Sequence, residues 1–488
     1  MGTAGNESQA GGWLAEAALF QAWRRAYTAD LASFTIPGHK RRAHEVAPEL
    51  GPFFDSDIPL YGGLDTVKLD GDVVGRAEAA GARFWGADWC RYSTGGSTHA
   101  NQVAMLSVGR PGDQVLVARN AHRSTVTGLV LAGLEPVWLP AQMDENLGVP
   151  TGLDLAALED ALEATPDAKA VFCVEPGYLG TISDLPKVIA RAHSRGIPVV
   201  VDQAWGAHLG SRDDYPKHAI ALGADAIIMS AHKTLAAWTQ ASIIAARTEL
   251  LDRDRLDRGF DACLSSSASG TILASIDVAR ALLASPTGRD LIGRMTGLVS
   301  GLRAELATAG VRTIDPRTFG PGRYDPAKLV LLLAPSGHDG LELERHLQGD
   351  GIPLELADRD TVVPIVTMLD TPETVGRLRD SLLAGLRRQD PKPRPVVAAA
   401  HWVLTAPQAM TPRQAFFADH VSLPAADAVG QVSAELIAPY PPGIPVVVPG
   451  EVLTEETVSA LRRASDEGVR IAYAADPSLA TFQVVAQR

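Results

Sequence analysis

Strand-like apolar runs alternate with helix-like segments between residues 113 and 202, and this alternation constrains the fold more than any other feature. The runs are rich in β-branched residues, and segments with apolar residues at helical spacing separate them. In chain order they read DQVLVA, PVWLP, AKAVFCVEP and IPVVVD. Strands that alternate with helices of this length pair in parallel and carry helices on both faces. We therefore predict an α/β fold with a largely parallel, doubly wound sheet.

Polar side chains follow three of the predicted strands where each strand ends. Asp202 follows the run at 197–201, Lys233 follows the run at 226–229, and His122 follows DQVLVA after a short loop. Ligands of open α/β sheets bind outside the carboxyl ends of the strands, so the three side chains should face one crevice.

A lysine at the end of a buried strand loses hydration, so its pKa should fall and its amine become nucleophilic. A lysine and a carboxylate in one crevice match the needs of pyridoxal 5'-phosphate (PLP), whose aldehyde binds a lysine and whose ring nitrogen pairs with an aspartate. The alternatives are ordinary: Lys233 as a surface lysine, Asp202 as a helix cap or metal ligand, and His122 as a structural histidine.

A possible anion site lies in STGGSTHANQVAM at 93–105, where a glycine pair and hydroxyl groups precede a predicted helix. Backbone N–H groups at the helix start, with the Ser97 and Thr98 hydroxyls beside them, would cradle a phosphate. The alternative is helix capping by serine and threonine, which needs no ligand.

Composition narrows the class of protein. The 488-residue chain carries a net charge of -13, which disfavours nucleic acid or an anionic membrane as a partner and suits a cationic substrate. The three cysteines, Cys90, Cys173 and Cys263, are widely spaced and form no metal-ligand pattern. We therefore expect no metal site. No secretion signal or membrane-spanning apolar run is evident, so we expect a cytoplasmic protein.

Seven segments occur in a characteristic order: PGHK at 37–40, GGSTHAN at 95–101, RNAHRS at 119–124, EPGYLGTISDL at 175–185, VDQAWGAH at 201–208, SAHKTLAAWTQAS at 230–242 and AELIAPYPPGIPVVVPGE at 434–451. They resemble the motifs of the Orn/Lys/Arg decarboxylase family of fold type I PLP-dependent enzymes. SAHKT and PYPPGIP together are the most specific. The resemblance covers nearly the whole chain and fits the shorter Bacillus-type members, which have no N-terminal wing domain.

The resemblance implies a role for each matching residue. Lys233 would bind PLP covalently, Asp202 would pair with the ring nitrogen, and His122 and Ala204 would contact the two faces of the ring. The phosphate would be held by Ser97, Thr98, Ser230 and His232, and Trp205 would line the pocket. After CO2 leaves, Lys233, His232 or His208 would return a proton to Cα; the residues alone do not rank them.

One loop departs from the family pattern. Where family members commonly read TSPSY, this chain reads SSSASG at 265–270, with Ala268 at the proline position and Gly270 at the tyrosine position. We expect a less rigid loop and a wider pocket, because glycine and alanine remove the backbone restraint and the ring. Ser266 would offer its hydroxyl to the phosphate of a neighbouring subunit.

Four regions are predicted. They are an N-terminal arm and helix at 1–60, a PLP-binding large domain at 61–285, a small α/β domain at 286–390 and a C-terminal α+β domain at 391–488. Residues 13–34 show helical spacing, and the charged, proline-rich segment at 387–397 reads as a linker. Glu435, beside PYPPGIP, either binds the distal cation of a substrate or is simply solvated, and the solvated state is the commoner one.

These observations predict PLP-dependent decarboxylation of a basic amino acid, with arginine to agmatine first and lysine or ornithine next. The family resemblance also implies at least a homodimer with shared active sites. Two alternatives remain. One is another PLP reaction, transamination or β-elimination, on an atypical amino acid, and the other is a catalytically silent regulatory relative.

Overall fold

The N-terminal segment forms a short amphipathic helix. The computed structural model describes residues 12–29, 32–60, 64–65, 73–396, 405–440, 443–466 and 468–486. Helix α1 (Ala18–Thr28) buries Leu19 and Ala22 and follows a 3-10 turn at Gly12–Glu16. The helix predicted over 13–34 is therefore too long, since the backbone is already extended at Ala29. Further along lie 3-10 turns at Ala43–Glu45 and Pro48–Leu50, then α2 (Gly51–Phe54) and α3 (Val73–Trp85).

A seven-stranded sheet forms the centre of the large domain. Strands of this region are β1 (Trp89–Ser93), β2 (Gln114–Ala118), β3 (Glu135–Leu139), β4 (Ala141–Asp144), β5 (Val149–Leu153), β6 (Val171–Val174), β7 (Val199–Asp202), β8 (Ala226–Ser230) and β9 (Ser242–Ala246). The sheet order is β1-β9-β8-β7-β6-β2-β3, and only β9 runs antiparallel to its neighbours. Strands β4 and β5 form a separate hairpin. The predicted largely parallel sheet is confirmed.

Helices cover both faces of this sheet. They are α4 (Gly96–Val108), α5 (Arg123–Ala132), α6 (Leu155–Ala164), α7 (Leu185–His193), α8 (Ala231–Thr234) and α9 (Arg253–Cys263), with a 3-10 turn at Ala219–Leu222. Successive residues of one strand belong to different cores: Ile227 packs in one cluster and Ile228 in the other. Burial on both faces explains why the strands read as continuous apolar runs.

A smaller antiparallel sheet follows two long helices. The predicted helix pair is present as α10 (Gly270–Ala284) and α11 (Pro286–Thr308). A 3-10 turn lies at Pro316–Thr318, and the sheet comprises β10 (Arg312–Thr313), β11 (Leu331–Leu332), β12 (Leu356–Ala357) and β13 (Thr361–Val363). Its order is β10-β11-β13-β12, and α12 (Gly340–Gly349) and α13 (Pro372–Arg388) pack beside it. Only two residues of the predicted strand KLVLLLAP pair with a neighbour.

The C-terminal region mixes short helices with two-stranded sheets. Its elements are α14 (Pro412–Phe417), β14 (His420–Pro424), α15 (Ala425–Ala428), β15 (Ala438–Pro439), α16 (Glu455–Asp466), β16 (Ile471–Ala472) and β17 (Thr481–Val485). Antiparallel pairs form between β14 and β17 and between β15 and β16. Leu453, Leu461 and Phe482 lie in a core of this region's own. None of the helices in the described ranges has the length and apolar content needed to span a membrane.

A buried ion pair joins this region to the large domain. Arg119, directly after β2, donates to the carboxylate of Glu451 at 3.2 Å, and the two side chains are only 6% and 1% exposed. The same guanidinium donates to the carbonyl oxygens of Pro445 at 2.6 Å and Val446 at 3.0 Å. Arg119 thereby holds the end of the PYPPGIP segment close to the large domain. Arg119 itself precedes His122 by three residues in the chain.

Replacing Arg119 by methionine should destabilise the protein, because the Glu451 charge would stay buried without its partner. Breaking a buried pair in this way costs about 3–5 kcal/mol. The urea midpoint of unfolding should fall markedly for Arg119→Met and recover in part for Arg119→Met/Glu451→Gln, where no charge remains. An unchanged midpoint in the single variant would contradict this role.

Candidate active site

The carboxyl ends of the central parallel strands bring the predicted polar residues together. Asp202 is the last residue of β7, and Ser230 ends the adjacent β8, where α8 carries Lys233 within one turn. His122 caps α5, the helix that follows β2. Electrostatic coupling joins Lys233 to both Asp202 and His122. The crevice predicted from the strand order thus contains all three groups.

Asp202 is a buried carboxylate held by two hydrogen bonds. The Asn101 side chain donates to its Oδ2 at 2.8 Å, and the backbone N–H of Ala204 donates to its Oδ1 at 3.1 Å. Burial raises the pKa of Asp202, and the Asn101 hydrogen bond and the Lys233 charge lower it. Since Asn101 is itself buried, on α4, this contact fixes the carboxylate on the sheet edge.

Lys233 reaches the aromatic side chain of Trp205. Its Nζ lies 4.1 Å from the centre of the indole ring, a distance at which the ring stabilises a cation. Burial lowers the pKa of Lys233, whereas the negative charges of Asp202 and Glu355 raise it. A lowered pKa increases the share of free amine, which is the nucleophilic form.

His122 is held as a neutral ring. Its Nδ1 accepts from the backbone N–H of Ser124 at 3.3 Å and lies 2.8 Å from the Ser124 hydroxyl, which in turn accepts from Asn101 at 3.0 Å. Burial lowers the pKa of His122 to about 4, and the charges of Lys233 and Arg123 act in the same direction. The ring proton therefore lies on Nε2, and the uncharged ring suits stacking on a planar ligand.

Hydroxyl groups and a helix start form one end of the site. The Ser97 and Ser230 hydroxyls lie 2.7 Å apart, and Ser97 is in the first turn of α4. No side chain caps this helix at Gly95, and Gly96 adopts a positive φ of 67°. The first N–H groups of α4 are thus free of a side-chain cap, as an anion site requires. Thr98, also in this turn, makes no side-chain hydrogen bond within the described residues.

His232 adjoins this end of the site but is restrained by the backbone. Its Nδ1 donates to the carbonyl oxygen of Ala241 at 2.9 Å, which leaves Nε2 for a ligand. Burial lowers the pKa of His232. A phosphate dianion beside Nε2 would favour the protonated ring, because opposite charges raise the pKa of a histidine.

Ser266 lies apart from the other predicted residues. It is exposed, and no hydrogen bond joins it to the site within the described part of this chain. Its proposed contact with a neighbouring subunit remains a prediction. The wider pocket expected from Ala268 and Gly270 also remains a prediction; within this chain a Cβ at Gly270 would meet Leu64 and lie 2.9 Å from the carbonyl oxygen of Ile58.

Two further predicted residues have structural partners. The carboxylate of Glu435 accepts from the backbone N–H groups of Ala475 and Gln483, each at 2.7 Å. The half-buried carboxylate is therefore engaged by the backbone on both oxygens. His208 is buried, and its Nε2 lies 3.1 Å from Asp325, so it is committed to a carboxylate of the small domain.

Four residues near Lys233 were given no role by the sequence analysis: Asn101, Tyr178, Lys328 and Glu355. Lys328 is buried, and its Nζ lies 4.0 Å from the centre of the Trp205 ring. Tyr178 donates to the Glu355 carboxylate at 3.0 Å. Lys328 could have been found from the sequence, because it directly precedes the apolar run LVLLL. Lys233 was identified by a similar signal, a lysine close to a buried apolar run. In the described ranges, no group of three or more histidine, cysteine, aspartate or glutamate side chains could bind a metal ion.

Comparison with known proteins places this geometry in a family context. The model of the Orn/Lys/Arg decarboxylase major domain matches residues 18–319, and that of the Orn/Lys/Arg decarboxylase C-terminal domain matches residues 398–465. The arginine decarboxylase of Halalkalibacterium halodurans is 33% identical, over 93% of this chain and 94% of its own length. The arginine decarboxylase of Bacillus subtilis is 31% identical, over 97% and 98%.

Among solved structures, lysine decarboxylase A from Pseudomonas aeruginosa superposes with a TM-score of 0.80 at 21% identity. The match covers 98% of this chain and 81% of that one. At this identity the likeness shows the fold alone, and it confirms the predicted fold class, including the small α/β domain and the C-terminal α+β domain.

The lowered pKa of Lys233 predicts early reaction with an amine-selective reagent. In protein freed of small-molecule aldehydes, labelling of Lys233 should begin at lower pH than labelling of the exposed Lys217, as followed by mass spectrometry. Asp202→Asn should shift the Lys233 midpoint lower still, because the Asp202 charge raises the pKa of this amine. Identical pH profiles for the two lysines would contradict the assignment.

Proposed function

This chain belongs to the Orn/Lys/Arg decarboxylase family, and we propose that it converts arginine to agmatine and CO2 with PLP as cofactor. Family membership makes it an amino acid decarboxylase. The single observation that favours arginine is that the relatives from Halalkalibacterium halodurans, Bacillus subtilis and Bacillus anthracis, each aligned over at least 93% of this chain, are named arginine decarboxylase. Lysine and ornithine are the next substrates to test.

The site offers PLP a complementary group for each of its reactive parts. The aldehyde would meet the Lys233 amine, and the ring nitrogen would meet the Asp202 carboxylate. The phosphate would occupy the helix start with the Ser97 and Ser230 hydroxyls, which lie within hydrogen-bond distance of each other. His122 and Ala204 would contact the two faces of the ring, and Trp205 would line the pocket.

When bound, PLP supplies an electron sink for the electron pair left on Cα as CO2 departs. Asp202 would keep a proton on the ring nitrogen, and Asn101 would support this by stabilising the Asp202 anion. His122 would contact the ring as an uncharged partner. Lys233 accepts and returns protons through its free amine, and its lowered pKa makes it the strongest candidate to protonate Cα.

We propose that the Glu355 carboxylate binds the distal guanidinium of arginine. This carboxylate accepts from Tyr178 and raises the pKa of both Lys233 and Lys328 through its charge. Glu435, the acidic residue considered from the sequence, has both oxygens engaged by backbone N–H groups. Glu355 is therefore the carboxylate on which we base specificity for a basic side chain.

We further propose that the protein is a homodimer, that it acts in the cytoplasm, and that its product amine is used in polyamine synthesis. Several large apolar side chains of the N-terminal segment are exposed in the single chain, among them Phe34 at 98%, Val46 at 86% and Phe53 at 74%. Apolar side chains gathered in one segment favour a protein interface. All three cysteines are free, which fits a reducing compartment.

The direct test is CO2 release by PLP-loaded protein from arginine, lysine, ornithine and non-basic amino acids. We expect release from arginine, and loss of release to the background rate in Lys233→Ala, because this variant lacks the amine assigned as the nucleophile. Lys217→Ala, at an exposed position, is the matched control and should retain full activity. Formation of a keto acid or pyruvate without CO2 would overturn the proposal in favour of transamination or β-elimination.

Glu355→Gln should reduce discrimination between arginine and citrulline, a nearly isosteric amino acid with an uncharged side chain. We expect the ratio of kcat/KM for the two substrates to fall at least tenfold, since only the charged guanidinium benefits from a carboxylate. Glu342→Gln, on the exposed face of α12, is the control. If the ratio is unchanged in Glu355→Gln, another group binds the distal cation.

A further inference from the structure

A second lysine, more deeply buried than Lys233, lies in the same crevice and has no role in the steps above. Lys328 is 6% exposed and leads into β11. Its stem packs tightly against Gly180, where a Cβ would lie 2.8 Å from the Lys328 Cβ and 2.9 Å from its Cγ. Because the stem is confined in this way, the direction of the amine is set by the fold.

The Lys328 amine lies on aromatic surfaces. Its Nζ is 4.0 Å from the centre of the Trp205 ring and 5.5 Å from that of Tyr178. Lys233 Nζ is 4.1 Å from the same Trp205 ring. Lys328 and Trp205 also line one small cavity, together with Thr234. The second amine therefore lies in the same crevice as the first.

No anion of the described residues pairs with this amine. The nearby Asp325 carboxylate already bonds His208 and the backbone N–H of Ala327. The Glu355 carboxylate accepts from Tyr178, and the ion pairs of the described residues include none between Glu355 and Lys328. The Lys328 amine makes no hydrogen bond within the described ranges, and a buried ammonium without an acceptor is unfavourable unless a ligand completes it.

Burial lowers the pKa of Lys328 to about 8, while Asp325 and Glu355 raise it and Lys233 lowers it further. Near neutral pH the amine is still mainly protonated. The structure thus maintains a positive charge beside the reacting lysine, and the aromatic rings stabilise that charge only in part.

We propose that Lys328 binds the α-carboxylate of the substrate. The substrate's α-amine must reach the position now taken by the Lys233 amine, and its carboxylate is attached to the next atom. The α-carboxylate of a bound substrate would therefore lie in the crevice that contains both Lys233 and Lys328. This inference rests on the proposed function, because it assumes an amino acid as the ligand.

A hydrogen bond from Lys328 would act on orientation and on product release. Fixing the carboxylate determines which bond at Cα breaks, and orientation of this kind is a large part of catalysis. When the Cα–carboxylate bond breaks, its electrons stay on Cα and the carboxylate leaves as neutral CO2. The product amine then has no anion for Lys328 to hold, so the site favours substrate over product.

Arginine and agmatine form a matched ligand pair, since they differ by the carboxylate alone. We would measure their binding by calorimetry to PLP-loaded Lys233→Ala protein, which does not turn over, with and without Lys328→Met. The methionine keeps the length of the stem and removes the charge. We expect at least tenfold weaker binding of arginine and agmatine binding within twofold, which also shows that the site is intact.

Lys328→Arg in the same background should restore much of the arginine affinity, and Lys217→Met should change neither ligand. An equal change in both ligands, or none in either, would overturn the role of Lys328. Failure of the proposed function gives a different result: neither arginine nor agmatine would bind the Lys233→Ala protein. In that case the pairs lysine with cadaverine and ornithine with putrescine decide whether another basic amino acid is the substrate.

Discussion

The burial of charge at the carboxyl edge of the parallel sheet is the constraint on which the rest of this structure depends. Asp202 ends β7, Lys233 lies in the helical turn that follows the adjacent β8, and a charge at either position requires partners. Asn101 supplies a hydrogen bond to Asp202, and Trp205 supplies an aromatic face to Lys233. The continuous network from Asp202 through Asn101 and Ser124 to His122 then sets the orientation of the histidine ring as well.

Much of the fold could be predicted from the sequence because parallel strands buried on both faces read as uninterrupted apolar runs. The runs that became β2, β6, β7 and β8 are of this kind. Strands β1 and β9 were not predicted. WCRYS carries an arginine at its centre, and SIIAA overlaps the end of the SAHKTLAAWTQAS motif, which was interpreted through its lysine. Their pairing joins segments more than 140 residues apart, which no local pattern encodes.

The site could be predicted only where a residue stands at a strand end or in a motif. Lys233, Asp202 and His122 meet that condition. Asn101 also lies in a motif, GGSTHAN, but its contact is with Asp202, about a hundred residues further along the chain; Lys328 lies in none of the motifs and contacts the distant Trp205. Glu435 adjoins a distinctive motif, yet its carboxylate serves two backbone N–H groups. Its position in sequence beside PYPPGIP gives no information about these hydrogen-bond partners.

The amines of Lys233 and Lys328 both lie about 4 Å from one indole ring, so the identity of the cofactor-bearing amine is the central claim. Borohydride reduction of the PLP-loaded protein followed by peptide mapping locates the lysine that carries the cofactor. The account predicts phosphopyridoxyl on Lys233 alone, with Lys328 unmodified. Modification of Lys328, or of no lysine at all, would contradict it.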